Sequence, residues 1–295
     1  MKTPIFTGAG VAIVTPFNED FSVNYAKLGE LIDWQIESGT DAIIICGTTG
    51  EASTLDHDEH SECIRFAVEK VAGRVPVIAG TGSNDTAYSL QLSQEAAAHG
   101  ADALLQVTPY YNKCSQAGLI KHFLHIADRV NLPMILYNVP SRTGMSIAPE
   151  TYFELSKHPN IVATKEASGD ISAIAKMKAL CGDALDLYSG NDDQITALMS
   201  LGGKGVISVL SNIAPKLAHD IAAAGLGGDI AASAKLQLNN LALCNDLFCD
   251  VNPVPVKEAM NLMGLAVGPC RMPLCETSAA NRAQLAATLK KHGLI

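Results

Sequence analysis

The sequence predicts an α/β protein, a (β/α)₈ TIM barrel with a C-terminal helical extension. Two patterns carry that expectation. Short, apolar, β-rich runs recur over residues 11–17, 41–47, 76–82, 103–109, 134–140, 161–168, 186–192 and 205–210. Runs without polar alternation are the mark of strands buried on both faces, as in a parallel sheet. Between them, stretches such as 25–38, 58–71, 87–99 and 116–130 place apolar residues at three- and four-residue intervals, the period of an amphipathic helix. Each gap is long enough for the crossover that parallel neighbours require. Eight such units in the first 225 or so residues match the length of a barrel.

A doubly wound open sheet is the competing architecture, and it calls for a dinucleotide fingerprint. Gly80-Thr81-Gly82 begins one but has no glycine three positions on. After residue 225 the strand signal stops. Segments 229–248, 255–263 and 278–292 are rich in Ala and Leu and read as helices separated by proline-containing turns. The expected division is a catalytic barrel over 1–224 and a helical domain over 225–295.

Composition narrows the function. A hydrophobic content of 48% and a charged content of 17% describe a globular chain, and a net charge of −9 argues against nucleic acid and anionic membranes as partners. The N-terminus has no apolar core of a secretory signal and no run is long enough to span a bilayer, so a cytoplasmic location is expected. The 8 cysteines include no CxxC pair and read as free thiols. His57-Asp58-Glu59-His60 lacks the spacing of a metalloprotease helix, so no metal and no cofactor is expected.

The strand at 161–168 holds the most unusual residue. Lys165 closes an apolar run, where an ammonium is costly to bury. Strand alternation sends Glu166 to the opposite face, which weakens a salt-bridge explanation. The lysine could snorkel to solvent, or it could be desolvated enough to attack a carbonyl and form a Schiff base. Barrel active sites lie at the C-terminal ends of the strands. Those positions hold Gly47-Thr48-Thr49-Gly50-Glu51, Pro109-Tyr110-Tyr111-Asn112, Tyr137-Asn138, Ser141-Arg142-Thr143-Gly144, Lys165 and Ser189-Gly190-Asn191-Asp192. Turn glycines, capping threonines and packing tyrosines would explain each singly. Together they place hydroxyls, one arginine and one lysine on one face. That set suits a lysine nucleophile with phenols and a threonine moving protons and an arginine holding a carboxylate.

These stretches, with Gly205-Val206-Ile207-Ser208-Val209 and Asn252-Pro253-Val254-Pro255-Val256-Lys257, resemble the pyruvate-dependent class I aldolase family, in its dihydrodipicolinate synthase branch. The resemblance implies a condensation of pyruvate with aspartate semialdehyde through an imine on Lys165. It implies that Thr49 holds the pyruvate carboxylate, that Tyr137, Thr48 and Tyr111 relay protons, and that Tyr111 reaches in from a neighbouring subunit. Arg142 would bind the second carboxylate, with Gly190 and Ile207 lining the pocket. It further implies a homotetramer built as a dimer of dimers, and a lysine-binding cleft at positions Ala52, Ser53, His57, His60, Asn84, Tyr88 and Tyr110. Feedback-sensitive members carry a glutamate where this chain has Tyr88, so weak or absent inhibition by lysine is expected. The rivals are a sister lyase cleaving a 2-keto-3-deoxy sugar acid and a barrel that only binds keto acids.

Overall fold

A computed structural model describes residues 3–295. Strands β1 (Gly8–Ala12), β2 (Ala42–Ile45), β3 (Val77–Gly80), β4 (Ala103–Val107), β5 (Met134–Asn138), β6 (Ile161–Glu166), β7 (Asp186–Ser189) and β8 (Gly205–Ser208) form one closed parallel barrel in sequence order. The seam between β8 and β1 pairs Gly205 with Gly8. A Cβ on Gly205, whose φ is +154°, would lie 1.9 Å from the Gly8 carbonyl oxygen. Only glycine lets the two backbones meet there.

Alternation along the strands separates two apolar clusters. Ala42, Ile44, Ile78, Leu105, Ile135, Tyr137, Ala163, Tyr188 and Ile207 fill the barrel interior. Ile43, Ile45, Leu104, Leu136, Leu187 and Val206 belong to the other cluster, the layer under the helices. Phe6, just before β1, stacks on Tyr188 with ring centroids 4.4 Å apart, and the Tyr188 hydroxyl donates to the Phe6 carbonyl at 2.6 Å.

The outer ring is α1 (Tyr25–Glu37), α2 (His57–Val71), α3 (Thr86–Ala98), α4 (Gln116–Ala127), the one-turn α5 (Pro140–Thr143), α6 (Pro149–Leu155), α7 (Ile171–Cys181), α8 (Ile195–Ser200) and α9 (Pro215–Leu226). Their starts follow local chemistry. Asp56, for example, caps α2 through a reciprocal box with Glu59, and Ser115 accepts from Gly118 at the head of α4. Beyond them lie α10 (Ile230–Asn239), α11 (Leu241–Asp246), α12 (Val254–Leu262) and α13 (Ala279–Lys291). No helix among the described residues is long and apolar enough to cross a membrane.

Three expected bounds need correction. The first strand begins at Gly8 and ends at Ala12, ahead of the expected 11–17. Ile13 still donates to the Ile44 carbonyl, and beyond it the Thr15 carbonyl accepts from Lys257 and the Phe17 amide donates to the Val267 carbonyl. The single helix expected over 229–248 is broken at Asn240, which leaves helical geometry (φ −114°, ψ 13°) while its side chain donates to the Leu236 carbonyl at 2.8 Å. Helix α9, which follows β8, runs across the expected domain boundary to Leu226.

Candidate active site

Lys165 sits one residue from the C-terminal end of β6, paired in register with Tyr137 of β5 and Tyr188 of β7. It shares the inward face with Ala163 and is 6% exposed. Its Nζ lies 4.2 Å from the centroid of the Tyr137 ring. Among the described residues that ammonium makes no hydrogen bond or ion pair, and the buried Asp192 carboxylate acts on it only through space. Space for its stem comes from Gly190, just past β7, because a Cβ there would stand 3.1 Å from Lys165 Cε and 2.8 Å from the Ala167 methyl. Ile207 on β8 belongs to the same inner cluster as Tyr137.

Glu166 does turn the other way. Its carboxylate accepts from the Tyr152 hydroxyl at 2.5 Å, from Ser168 at 2.8 Å and from Asn138 at 3.1 Å. Burial pushes its carboxyl above the usual range, and those three donors work against the shift. The strand is thereby pinned from behind by Glu166 while Lys165 projects into the interior.

Lys257 makes a useful contrast. It is as buried as Lys165, but its ammonium donates to Glu51 Oε1 at 2.9 Å, to the Thr15 carbonyl at 3.0 Å and to the Pro269 carbonyl at 2.5 Å. An ammonium has three protons, and all three are used. It also lies over the Phe17 ring, 4.3 Å from the centroid. Burial draws its pKa down while the Glu51 carboxylate resists. Lys257 is thus held as a structural cation by three acceptors.

The Gly47–Glu51 loop after β2 is strained at both ends, since Cys46 (φ 55°) and Glu51 (φ 54°) are non-glycine residues in the left-handed region. Glu51 is held there by Lys257 and by the Arg271 amide, which donates to Oε2 at 2.9 Å. This arrangement presents Thr48 and Thr49 at the barrel mouth. Thr49 is buried, and its Oγ1 accepts from Asn252 Nδ2 at 3.0 Å. Arg142, on the exposed turn α5, donates from Nη2 to the Asn252 carbonyl at 3.2 Å. Asp192, buried beside β8, accepts from the Val209 and Leu210 amides at 3.0 and 2.8 Å.

A cavity of about 310 Å³ opens at this face. Thr48, Tyr137 and Arg142 line it, and so do Ala52, Ser53, His60, Tyr88 and Tyr110. Members of both groups of expected residues therefore share one space within a single chain, while Lys165, Thr49, Gly190 and Ile207 are not among its lining residues. His57 lies alongside, its ring centroid 6.0 Å from that of Tyr88 and its Nε2 3.2 Å from Glu95. Asn84 accepts from Asn112 through its backbone carbonyl at 2.9 Å. Tyr111 is not brought to the cavity of its own chain. It is 91% exposed, on a left-handed backbone with φ 70°. Among the described residues, no group of three metal-ligating side chains is disposed to hold a metal ion.

The model of the dihydrodipicolinate synthetase family matches residues 5–292. The chain belongs to this family. It is 61% identical over 292 residues to the 4-hydroxy-tetrahydrodipicolinate synthase of Lachnoclostridium phytofermentans, covering 99% of each chain. It is 57% identical over 293 residues to that of Thermoanaerobacter sp. (strain X514), covering 99% of this chain and 98% of the relative. Among solved structures, the chloride-inhibited dihydrodipicolinate synthase of Acinetobacter baumannii complexed with pyruvate superposes with a TM-score of 0.96 at 42% identity, covering 98% of this chain and 99% of that one.

Membership of the family leaves several residues of this site without a role foreseen in the sequence. Asn252, Glu51 and Lys257 stand in the motifs quoted above, yet their contacts span 203 and 206 residues of chain. A composition or spacing rule cannot see such pairings. The one local signal is Lys257 itself, a charged residue two positions after Pro255 on the buried face of α12.

Proposed function

We propose that Lys165 is the imine-forming nucleophile of this enzyme, which condenses pyruvate with L-aspartate 4-semialdehyde to 4-hydroxy-tetrahydrodipicolinate, the first committed step of lysine and diaminopimelate biosynthesis. The observation that carries the assignment is the contrast between two buried lysines, one with every proton engaged and one whose ammonium faces the barrel interior over the Tyr137 ring without a hydrogen bond. The Lys165 amine adds to the pyruvate ketone and water leaves. Loss of a methyl proton gives the enamine, whose carbon attacks the aldehyde. The amine of the condensed product then displaces Lys165 and closes the ring. In this reading Tyr137, whose ring centroid is 4.2 Å from the ammonium, and Thr48, which lines the same cavity as Tyr137, move these protons. Thr49 takes the pyruvate carboxylate, and Gly190 and Ile207 bound the space around the imine.

Tyr111 completes the relay from a neighbouring subunit in this reading, and the enzyme works as a dimer of dimers. The support is its near-complete exposure on a strained backbone, which holds the phenol off its own chain. The test of the reading is borohydride reduction in the presence of pyruvate, followed by peptide mapping. A reduced adduct on Lys165 is expected. An adduct on another lysine, or none, overturns it.

Arg142 is proposed to hold the aldehyde substrate's carboxylate. A guanidinium can form two parallel hydrogen bonds to it. Arg142→Ala should raise the KM for aspartate semialdehyde by roughly ten-fold to a hundred-fold while borohydride trapping of pyruvate changes little. Equal losses in both measurements would assign the arginine elsewhere.

Inhibition by lysine is expected to be weak. Tyr88, which lines the shared cavity, stays a neutral phenol, since burial and the nearby Glu95 raise its pKa. It offers an ammonium a hydrogen bond without an opposite charge, a deficit of about 1–2 kcal/mol, or roughly ten-fold in affinity. A lysine titration into the millimolar range, with Tyr88→Glu alongside, checks this. The variant should be the more sensitive of the two.

A further inference from the structure

We infer that Asn252, supplied by the C-terminal region, is a positioning residue that sets both substrate clamps at the barrel mouth. The inference rests on the roles given above to Thr49 and Arg142. Asn252 is buried, and one residue touches both groups: its amide Nδ2 donates to Thr49 Oγ1 at 3.0 Å, and its backbone carbonyl accepts from Arg142 Nη2 at 3.2 Å.

The direction of the first bond matters. A threonine hydroxyl has one proton and two acceptor positions. With an acceptor position filled by the amide, the hydroxyl proton is left for something else, and at this place the substrate carboxylate is the group that needs it. A side chain that could only accept would take that proton itself and turn Thr49 away. The Asn252 Oδ1 is buried without a hydrogen bond, so the amide's contribution at this position is its donor. The second bond acts on Arg142. Its side chain is exposed and long, and a tie to a buried backbone carbonyl limits the freedom it would lose on gripping a carboxylate. The loop carrying Thr49 is joined to the same C-terminal segment again through Glu51 and Lys257, so Asn252 acts from a fixed base.

The side chain reaches only Thr49, while the carbonyl that meets Arg142 survives substitution. This predicts a split between the two substrates. Asn252→Ala should raise the pyruvate KM on the order of ten-fold, the loss of one hydrogen bond serving a charged group, with a smaller rise for aspartate semialdehyde. Asn252→Asp, equal in shape, should be worse than alanine for pyruvate, because its carboxylate accepts the Thr49 proton and repels the substrate. A residue needed only for packing would show the reverse order.

The experiment is steady-state kinetics in both substrates on Asn252→Ala, Asn252→Asp, Thr49→Val and the Thr49→Val/Asn252→Ala pair, with melting temperatures recorded. The double variant should add less than about two-fold to the loss of Thr49→Val alone, since the two residues act through one bond. If Asn252→Ala does not fold, the pyruvate KM of the isosteric Asn252→Asp carries the test. A pyruvate KM within two-fold of the unmodified enzyme in both Asn252 variants, or fully additive losses in the double, overturns the inference. Borohydride trapping on the unmodified enzyme is run in parallel. Its failure would remove the site reading and this inference with it, whereas normal trapping with an unmoved KM removes this inference alone.

Discussion

Lys165→Ala should lower kcat by at least about 10⁴-fold, a loss on the order of 5–6 kcal/mol of transition-state stabilisation. Without an amine at that position there is no imine and no enamine, so neither carbon–carbon bond formation nor release by transimination has a route. Lys165→Arg keeps the charge but cannot form the imine, and it should be as inactive as alanine. The melting temperature separates this loss from damage to the fold. A buried ammonium over a tyrosine ring, with no hydrogen bond recorded for it, is a cost that the folded state carries. Removing it should leave the melting temperature unchanged or raise it, the usual relation between a functional group and the stability of its scaffold. A kcat within ten-fold of the unmodified enzyme would show that another group supplies the nucleophile. A large drop in melting temperature would instead show Lys165 to be structural.

What the sequence reveals follows from how local each signal is. The eight strands were legible because parallel barrel strands are buried on both faces, and near-continuous apolar runs such as 42–45 have few other uses in a protein of this size. The first strand was misplaced because its core is Gly8-Ala9-Gly10, residues with poor strand propensity. Their smallness is what the barrel needs, since a Cβ on Gly10 would stand 2.6 Å from Ile44 Cδ1 and 3.0 Å from the Phe6 ring. The break at Asn240 was hidden in an Ala- and Leu-rich stretch, where one asparagine binding its own preceding turn outweighs a good helical pattern.

The site divides in the same way. Lys165 and Glu166 could be assigned to opposite faces from alternation alone, and the Tyr152 and Asn138 contacts to Glu166 match that assignment. The residues that orient the site, Asn252 and the Glu51–Lys257 pair, depend on the closing of the chain over some 200 residues. Nothing near them in sequence marks the partner. The shared cavity was also out of reach, because it arises from the packing of α2 and α3 against the strand ends rather than from any motif.

That long-range pair gives the largest expected effect on stability. Lys257→Met would keep the bulk of the stem against Phe17 but strand the Glu51 carboxylate, which is only 1% exposed as a side chain, in a dry site. The Arg271 amide would still donate to it, and the Cys270 thiol lies beside it, but neither carries an opposite charge. Removing one partner of a buried ion pair costs about 3–5 kcal/mol, because the remaining charge is uncompensated. For a chain of this size that is a fall in melting temperature on the order of 10 °C. The strained left-handed backbone at Glu51 persists only while its surroundings hold it, so the loop bearing Thr48 and Thr49 should loosen as well. The pyruvate KM should therefore rise together with the loss of stability. Glu51→Gln in the Lys257→Met background removes the stranded charge and should return most of the melting temperature, while leaving the KM raised because the tie to α12 is still gone. Thermal melts and pyruvate kinetics on the single and double variants measure both quantities. If the double variant is no more stable than Lys257→Met, the carboxylate is not the source of the loss. If the KM is unmoved while the melting temperature falls, the clamp stabilises the fold without positioning the threonines.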